Sequence, residues 1–191
     1  MTEHKGLKVR LFKTEAAFEK WLKANLQAEG LWLRFAKKAS TLTSISYEQA
    51  REVALRYGWI DGLLNTWDDD SFLRRFTPRR KRSKWSKINR EIVEGLITAG
   101  RMTPSGLAEV EAAKADGRWQ AAYDSSSTIE VPDDLQAALN KSKAANAYFA
   151  TLTRTQRFGV LYRVHDAKRA ETRTRRIKAF VAAFEAGRTG L

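Results

Sequence analysis

The sequence predicts an α+β protein: a small antiparallel sheet around a central hairpin, packed by helices, with an all-helical C-terminal module. Three observations carry this expectation. Apolar residues recur at helical spacing in several windows, they alternate at period two in LWLRF and across 59–77, and strand signals stop after the first part of the chain. The polar, Pro-terminated stretch DSSSTIEVP predicts a linker over 124–132 between an N-terminal domain (1–123) and a helical module (133–191).

Thr14 is placed to cap a first helix whose stripe is Phe18, Trp21, Leu22 and Leu26, with Gly30 as its stop. LWLRF then sets Leu31, Leu33 and Phe35 against Trp32 and Arg34, the pattern of a half-buried strand. Ser46 and Gln49 have the spacing of a capping box ahead of Ala50, Val53, Ala54 and Tyr57, and Gly58 ends that helix. Residues 59–77 read as two strands around the acidic turn Asp68, Asp69, Asp70, closed by Pro78. A helix over 86–99 should bury Ile88, Ile92, Val93, Leu96 and Ile97, and Thr103 before Pro104 starts another. Three helices follow: 133–140, 142–152, and a run opened by the box Thr153 and Gln156 that breaks near 167–170. Ile177, Phe180, Val181 and Phe184 form the apolar stripe of its last part.

Of 191 residues, 35 are Lys or Arg and 22 are Asp or Glu, a net charge of +13 that points to polyanions, phosphorylated ligands or acidic surfaces as partners. The absence of cysteine removes disulfides, thiolate metal sites and cysteine nucleophiles. No GxxxxGK, GxGxxG, GxSxG or HExxH pattern occurs, which lowers the weight of common nucleotide, redox, hydrolase and zinc-protease chemistries. No cofactor or metal is expected; the Asp68–Asp70 run reads as a turn, because consecutive side chains point in different directions. Neither a signal-like start nor a membrane-spanning stretch is visible, so a cytoplasmic location is expected.

Between Arg74 and Arg90 lie nine basic residues and no acidic one, interleaved with Phe76 and Trp85. Arg74, Arg75, Lys81, Arg82, Lys84 and Lys87 are candidates for polyanion contact, either to nucleic acid phosphates or as a solvated, anti-aggregation edge. A second basic run, Arg163 to Lys178, adds Lys168, Arg169, Arg173 and Arg176, with a charged outer helix face as the plainer alternative. Asp61, between Trp59, Ile60 and Gly62, should be partly buried and needs a cation, for which Arg79 or Arg80 is in reach. It supports either a structural ion pair or an anion pocket built from Lys38, Asp61, Arg79 and Trp85. Trp32 and Trp67 fall on the polar side of their strands and are candidates for an exposed contact or dimer face. His165 reads as a core or boundary residue and His4 as part of a frayed end.

Four stretches, LWLRFAKK, SYEQAREVALRYGWIDG, RFTPRRKRSKWSKIN with the later GRM, and AKRAETRTRRI, resemble the YdeI/OmpD-associated family of bacteriocin-protection proteins. The resemblance runs through nearly the whole chain. It implies a link to antimicrobial-peptide resistance and to an outer-membrane porin, no attached reaction, and a periplasmic location for some relatives. Matched position by position, the family pattern falls on Lys38, Trp59, Asp61, Gly62, Arg79, Arg80, Ser83, Trp85, Ser86 and Asn89, and on Lys168, Arg169, Thr172, Arg173, Arg176 and Ile177. Together these readings lead to a non-enzymatic basic binding protein, or alternatively a small-molecule enzyme or receptor whose ligand site comprises Lys38, Trp59, Asp61, Arg79, Arg80, Trp85 and Asn89.

Overall fold

The computed structural model describes residues 2–190. In chain order its elements are β1 (Glu3–His4), β2 (Leu7–Arg10), α1 (Glu15–Ala24), β3 (Leu31–Ala36), α2 (Tyr47–Arg56), β4 (Trp59–Thr66), β5 (Ser71–Pro78), α3 (Lys87–Thr98) and α4 (Pro104–Ala115). They are followed by α5 (Asp133–Asn140), α6 (Lys143–Thr151), α7 (Arg154–His165) and α8 (Ala170–Glu185). The chain divides into two compact units, the first ending at Ala122 and the second beginning at Tyr123.

The protein is of the α+β class, with a five-stranded sheet in the order β1-β2-β3-β5-β4. The β4–β5 hairpin lies at its side, with a register shift between Asp61 and Leu64. Two strands ahead of α1 join the sheet as well, and the pairing of β2 with β3 is parallel, so the sheet is mixed. Parallel neighbours need a crossover, and α1 supplies it. Thr14 caps α1, its hydroxyl accepting from Ala17 N at 3.2 Å. The helix stops at Asn25, well before Gly30, because the Asn25 amide donates to Trp21 O at 2.7 Å and competes with the helical ladder. Gly30 answers a different demand: its φ is +138°, and a Cβ there would sit 2.6 Å from Phe76 O on the neighbouring strand.

One face of the sheet packs on α1 and α2 through Phe18, Leu22, Leu31, Leu33, Phe35, Val53, Ala54 and Phe76. The other face curls over itself. In a flat sheet β1 and β4 would lie roughly 19 Å apart, yet the Asn65 amide on β4 meets His4 Nε2 on β1 at 2.8 Å. The His4 ring also stands edge-on to Trp32 and Trp67 at 4.9 and 5.8 Å. His4 is therefore an ordered lid residue and not frayed. Trp32 is correspondingly buried and not a contact surface: its strand is central and both of its faces are covered, which simple alternation does not foresee.

The far side of α2 contributes Leu55 to a second core with Trp85, Val93, Val110, Ala113 and Trp119. Helix α3 buries only the centre of its apolar arc, at Asn89, Val93 and Leu96, while Ile88 and Ile97 flank it and are exposed. The start of α4 docks on the end of α2. Thr103 Oγ1 donates to Arg56 O at 2.6 Å and Ser105 Oγ to Tyr57 O at 3.2 Å, satisfying carbonyls that a helix end leaves open. Gly106 allows this approach, since a Cβ there would lie 2.2 Å from Arg56 O.

The second unit is a helical module around Leu135, Leu139, Phe149, Val160, Leu161, Val164, Ile177, Phe180 and Phe184. Thr153 and Gln156 close the expected capping box of α7. Ile129 and Val131 pack against this core, and His165 Nε2 donates to Glu130 O at 3.0 Å.

Candidate functional site

The basic segment after β5 is a short loop tied down at both ends. Arg79 N donates to Gly58 O at 2.9 Å, Ser83 N to Arg80 O at 2.8 Å, and Arg80 N to Ser83 Oγ at 2.8 Å. Arg118 reaches in to donate to Ser83 O at 2.9 Å. Arg79 turns inward: its guanidinium lies 3.4 Å from the Trp85 ring centroid, and Nη1 donates to Lys84 O at 3.3 Å. Trp85 in turn packs edge-on to Trp119 at 4.8 Å. Arg79 and Trp85 are thus buried structural partners. Arg80, Lys81 and Arg82 project outward, exposed, with no ion pair to any described residue. Lys84 and Lys87 are exposed beside them.

Asp61 is held differently from the expectation. Its partner is Arg74, not Arg79 or Arg80: Arg74 Nη1 donates to Asp61 Oδ2 at 2.7 Å, and Tyr47 OH donates to the same oxygen at 2.8 Å. Asp61 lies opposite Phe76 on the adjacent strand, one pair from the Arg74 side, whereas Arg79 is beyond the strand end and committed to Trp85. The Arg74 guanidinium also stacks 4.3 Å from the Tyr47 ring centroid, and that of Arg51 lies 5.3 Å away. Burial, then the adjacent Asp61 carboxylate, pushes the Tyr47 phenol up to about 12.

The pocket expected from Lys38, Asp61, Arg79 and Trp85 is not assembled. Lys38 follows the end of β3 where Ala36 meets Ser71, while Asp61 meets Phe76; five residues of β5 separate them, roughly 17 Å. Trp59 is core, edge-on to Trp21 at 5.8 Å, and Asn89 is buried at the start of α3, where its N–H donates to Ser86 Oγ. Arg75 lies on the opposite sheet face from Arg74, across from Trp32. Asp68 forms the hairpin turn, accepting from Ser71 Oγ, Asp70 N and Arg34 Nη2. The Ser71 hydrogen bond leads in holding its carboxyl below the ordinary value. Among the described residues no three His, Asp or Glu side chains gather into a metal-ligand set.

In the second unit, Arg173 is a staple. It forks onto Asp134, with Nη2 to Oδ1 at 2.9 Å, and its Nη1 donates to Val164 O at 2.8 Å. Arg176 Nη1 donates to Arg163 O. Lys168 and Arg169 remain exposed in the break between α7 and α8. Two residues with a part in the Asp61 cluster escaped the sequence reading, Tyr47 and Arg51. Their i,i+4 spacing on α2 is the signal that pairs a cation with an aromatic ring.

These features describe a two-unit α+β protein with an outward-facing basic loop. Residues 10–109 match the family model described as a domain of unknown function (DUF8412), and residues 128–187 match the one described as Bacteriocin-protection, YdeI or OmpD-Associated. The chain belongs to the family of that domain of unknown function, which spans more than half of it, and carries the YdeI or OmpD-associated module at its C-terminal side. No curated protein and no solved structure matches it. Among the described residues no helix is long and apolar enough to cross a membrane.

Proposed function

We propose that the protein is a non-enzymatic, cytoplasmic binding protein that holds a polyanion on the Arg80–Lys81–Arg82 loop, with nucleic acid as the ligand to test. The observation that supports this is the loop itself: three consecutive exposed cations on a backbone pinned at Gly58 and Ser83. Cations held in place and free of carboxylates exchange counterions for phosphates at little conformational cost. The family description contributes the word bacteriocin-protection. A chain of charge +13 repels cationic peptides at long range, so protection would run through an anionic partner and not through direct capture. Lys38 lies roughly 17 Å along the sheet from Asp61, and Arg79 and Trp85 are buried against each other, which leaves the small-ligand alternative at those four residues without support.

The experiment is binding of labelled single- and double-stranded nucleic acid at two salt concentrations, by wild type and by Arg80→Ala/Lys81→Ala/Arg82→Ala. Binding should weaken with salt, and losing three phosphate contacts should flatten the slope of log K against log salt by roughly 2 to 3. Absence of binding at low salt, or indifference to the triple substitution, removes the reading.

A further inference from the structure

The Tyr47 cluster holds more positive charge than its one carboxylate balances. Arg51 and Arg74 both place their guanidinium carbons within 5.3 Å of the Tyr47 ring centroid. Asp61 neutralises Arg74. Arg51 has no carboxylate in ion-pair reach among the described residues, and the Nε–H groups of both arginines are buried without an acceptor there. Donors left this way carry a desolvation cost. Screening is weak as well, because the Asp61 and Arg74 side chains are only 13% and 22% exposed. Tyr47 adds no negative charge of its own, since its phenol stays protonated at neutral pH.

The arrangement also states a preference. A guanidinium fork is planar and matches a planar carboxylate with two parallel hydrogen bonds. The cluster already holds one carboxylate, that of Asp61, through an arginine and the tyrosine hydroxyl. One further monoanion brings its net charge to zero, whereas a dianion overshoots. We propose that Arg51 and Arg74, stacked on Tyr47, form a receptor for the carboxylate group of a small organic acid, with Asp61 as the fixed counterion that orients Arg74. The site lies on α2, β4 and β5 and is independent of the Arg80–Arg82 loop.

The test uses the full ¹⁵N-labelled chain and follows the arginine Nε–H resonances during titration with sodium acetate, with sodium phosphate and sodium chloride in parallel. Acetate should shift the Arg51 and Arg74 signals saturably, with millimolar affinity suited to so small a ligand. Binding should weaken at least tenfold in Arg51→Gln, which removes no ion pair and whose native fold is checked by its ¹⁵N–¹H spectrum, and persist unchanged in the Arg80–Arg82 triple variant. Shifts that chloride reproduces, saturation by phosphate but not acetate, or undiminished binding by Arg51→Gln would each overturn the assignment. Loss of acetate binding in the loop variant would overturn it too, while failure of nucleic acid binding alone leaves it standing.

Discussion

The two basic runs of this chain look alike in sequence and behave differently in the fold. After β5, the segment turns one arginine inward, Arg79 onto Trp85, and leaves the next three cations facing water. On α8, the arginines reach back across the module: Arg173 to Asp134 and Val164 O, Arg176 to Arg163 O. The difference lies in what surrounds each run. Helix α8 lies within reach of an acidic first turn on α5 and of the open carbonyls at the end of α7, both natural partners for guanidinium groups. The three cations Arg80, Lys81 and Arg82 have no carboxylate in ion-pair reach among the described residues. A count of basic residues does not measure a binding surface; the number left without carboxylates does.

Four variants test this contrast. The largest effect should come from Arg79→Ala, which removes a buried cation from the face of Trp85 and opens the loop's anchor; a loss of about 3 kcal/mol is expected in chemical denaturation. Arg79→Lys should rescue little of it, because an ammonium lacks the flat stacking face. Arg173→Ala comes next, at about 1 to 2 kcal/mol, reduced from the buried-pair range because Asp134 is largely open to solvent. That loss should also depend on pH. The Arg173 hydrogen bond leads in holding the Asp134 carboxyl below its ordinary 3.8, so the tie is in full force above that value and is lost as pH falls through the lowered one. Acid titration of stability should show the gap between wild type and Arg173→Ala narrowing at low pH to the share of the Val164 carbonyl bond, which does not titrate; a gap of undiminished size there contradicts the assignment. The smallest effect belongs to Arg80→Ala/Lys81→Ala/Arg82→Ala, which should change stability by less than about 0.5 kcal/mol. If this variant unfolds as readily as Arg79→Ala, the division between anchor and exposed cations is wrong.

Much of the architecture was legible because it rests on local rules. Ser46 with Gln49 and Thr153 with Gln156 form capping boxes whose geometry depends on three residues of chain, and Pro104 opens its helix for a reason contained in its own ring. The break before α8 also lies where the apolar pattern lapses. What escaped depends on distant chain. β1 and β2 carry too few apolar residues to announce strands, and they become strands because β3 offers an open edge. Trp32 reads as outward-facing until His4 covers it. At the candidate site, Asp61 was recognisable as a carboxylate needing a cation, but its partner was not. Arg74, Arg79 and Arg80 are equally basic in sequence, and only the strand register together with the Trp85 stack decides among them.

The curl that brings His4 onto Asn65 spans 61 residues of chain. Closing so long a loop for a few contacts carries an entropy cost that is recovered only after the β4–β5 hairpin exists. We predict that β1 settles against β4 after that hairpin forms and opens before it, an order that amide hydrogen exchange in β1 compared with β5 would read. His4 is in that sense a latch, closed edge-on over the Trp32 ring at the centre of the sheet.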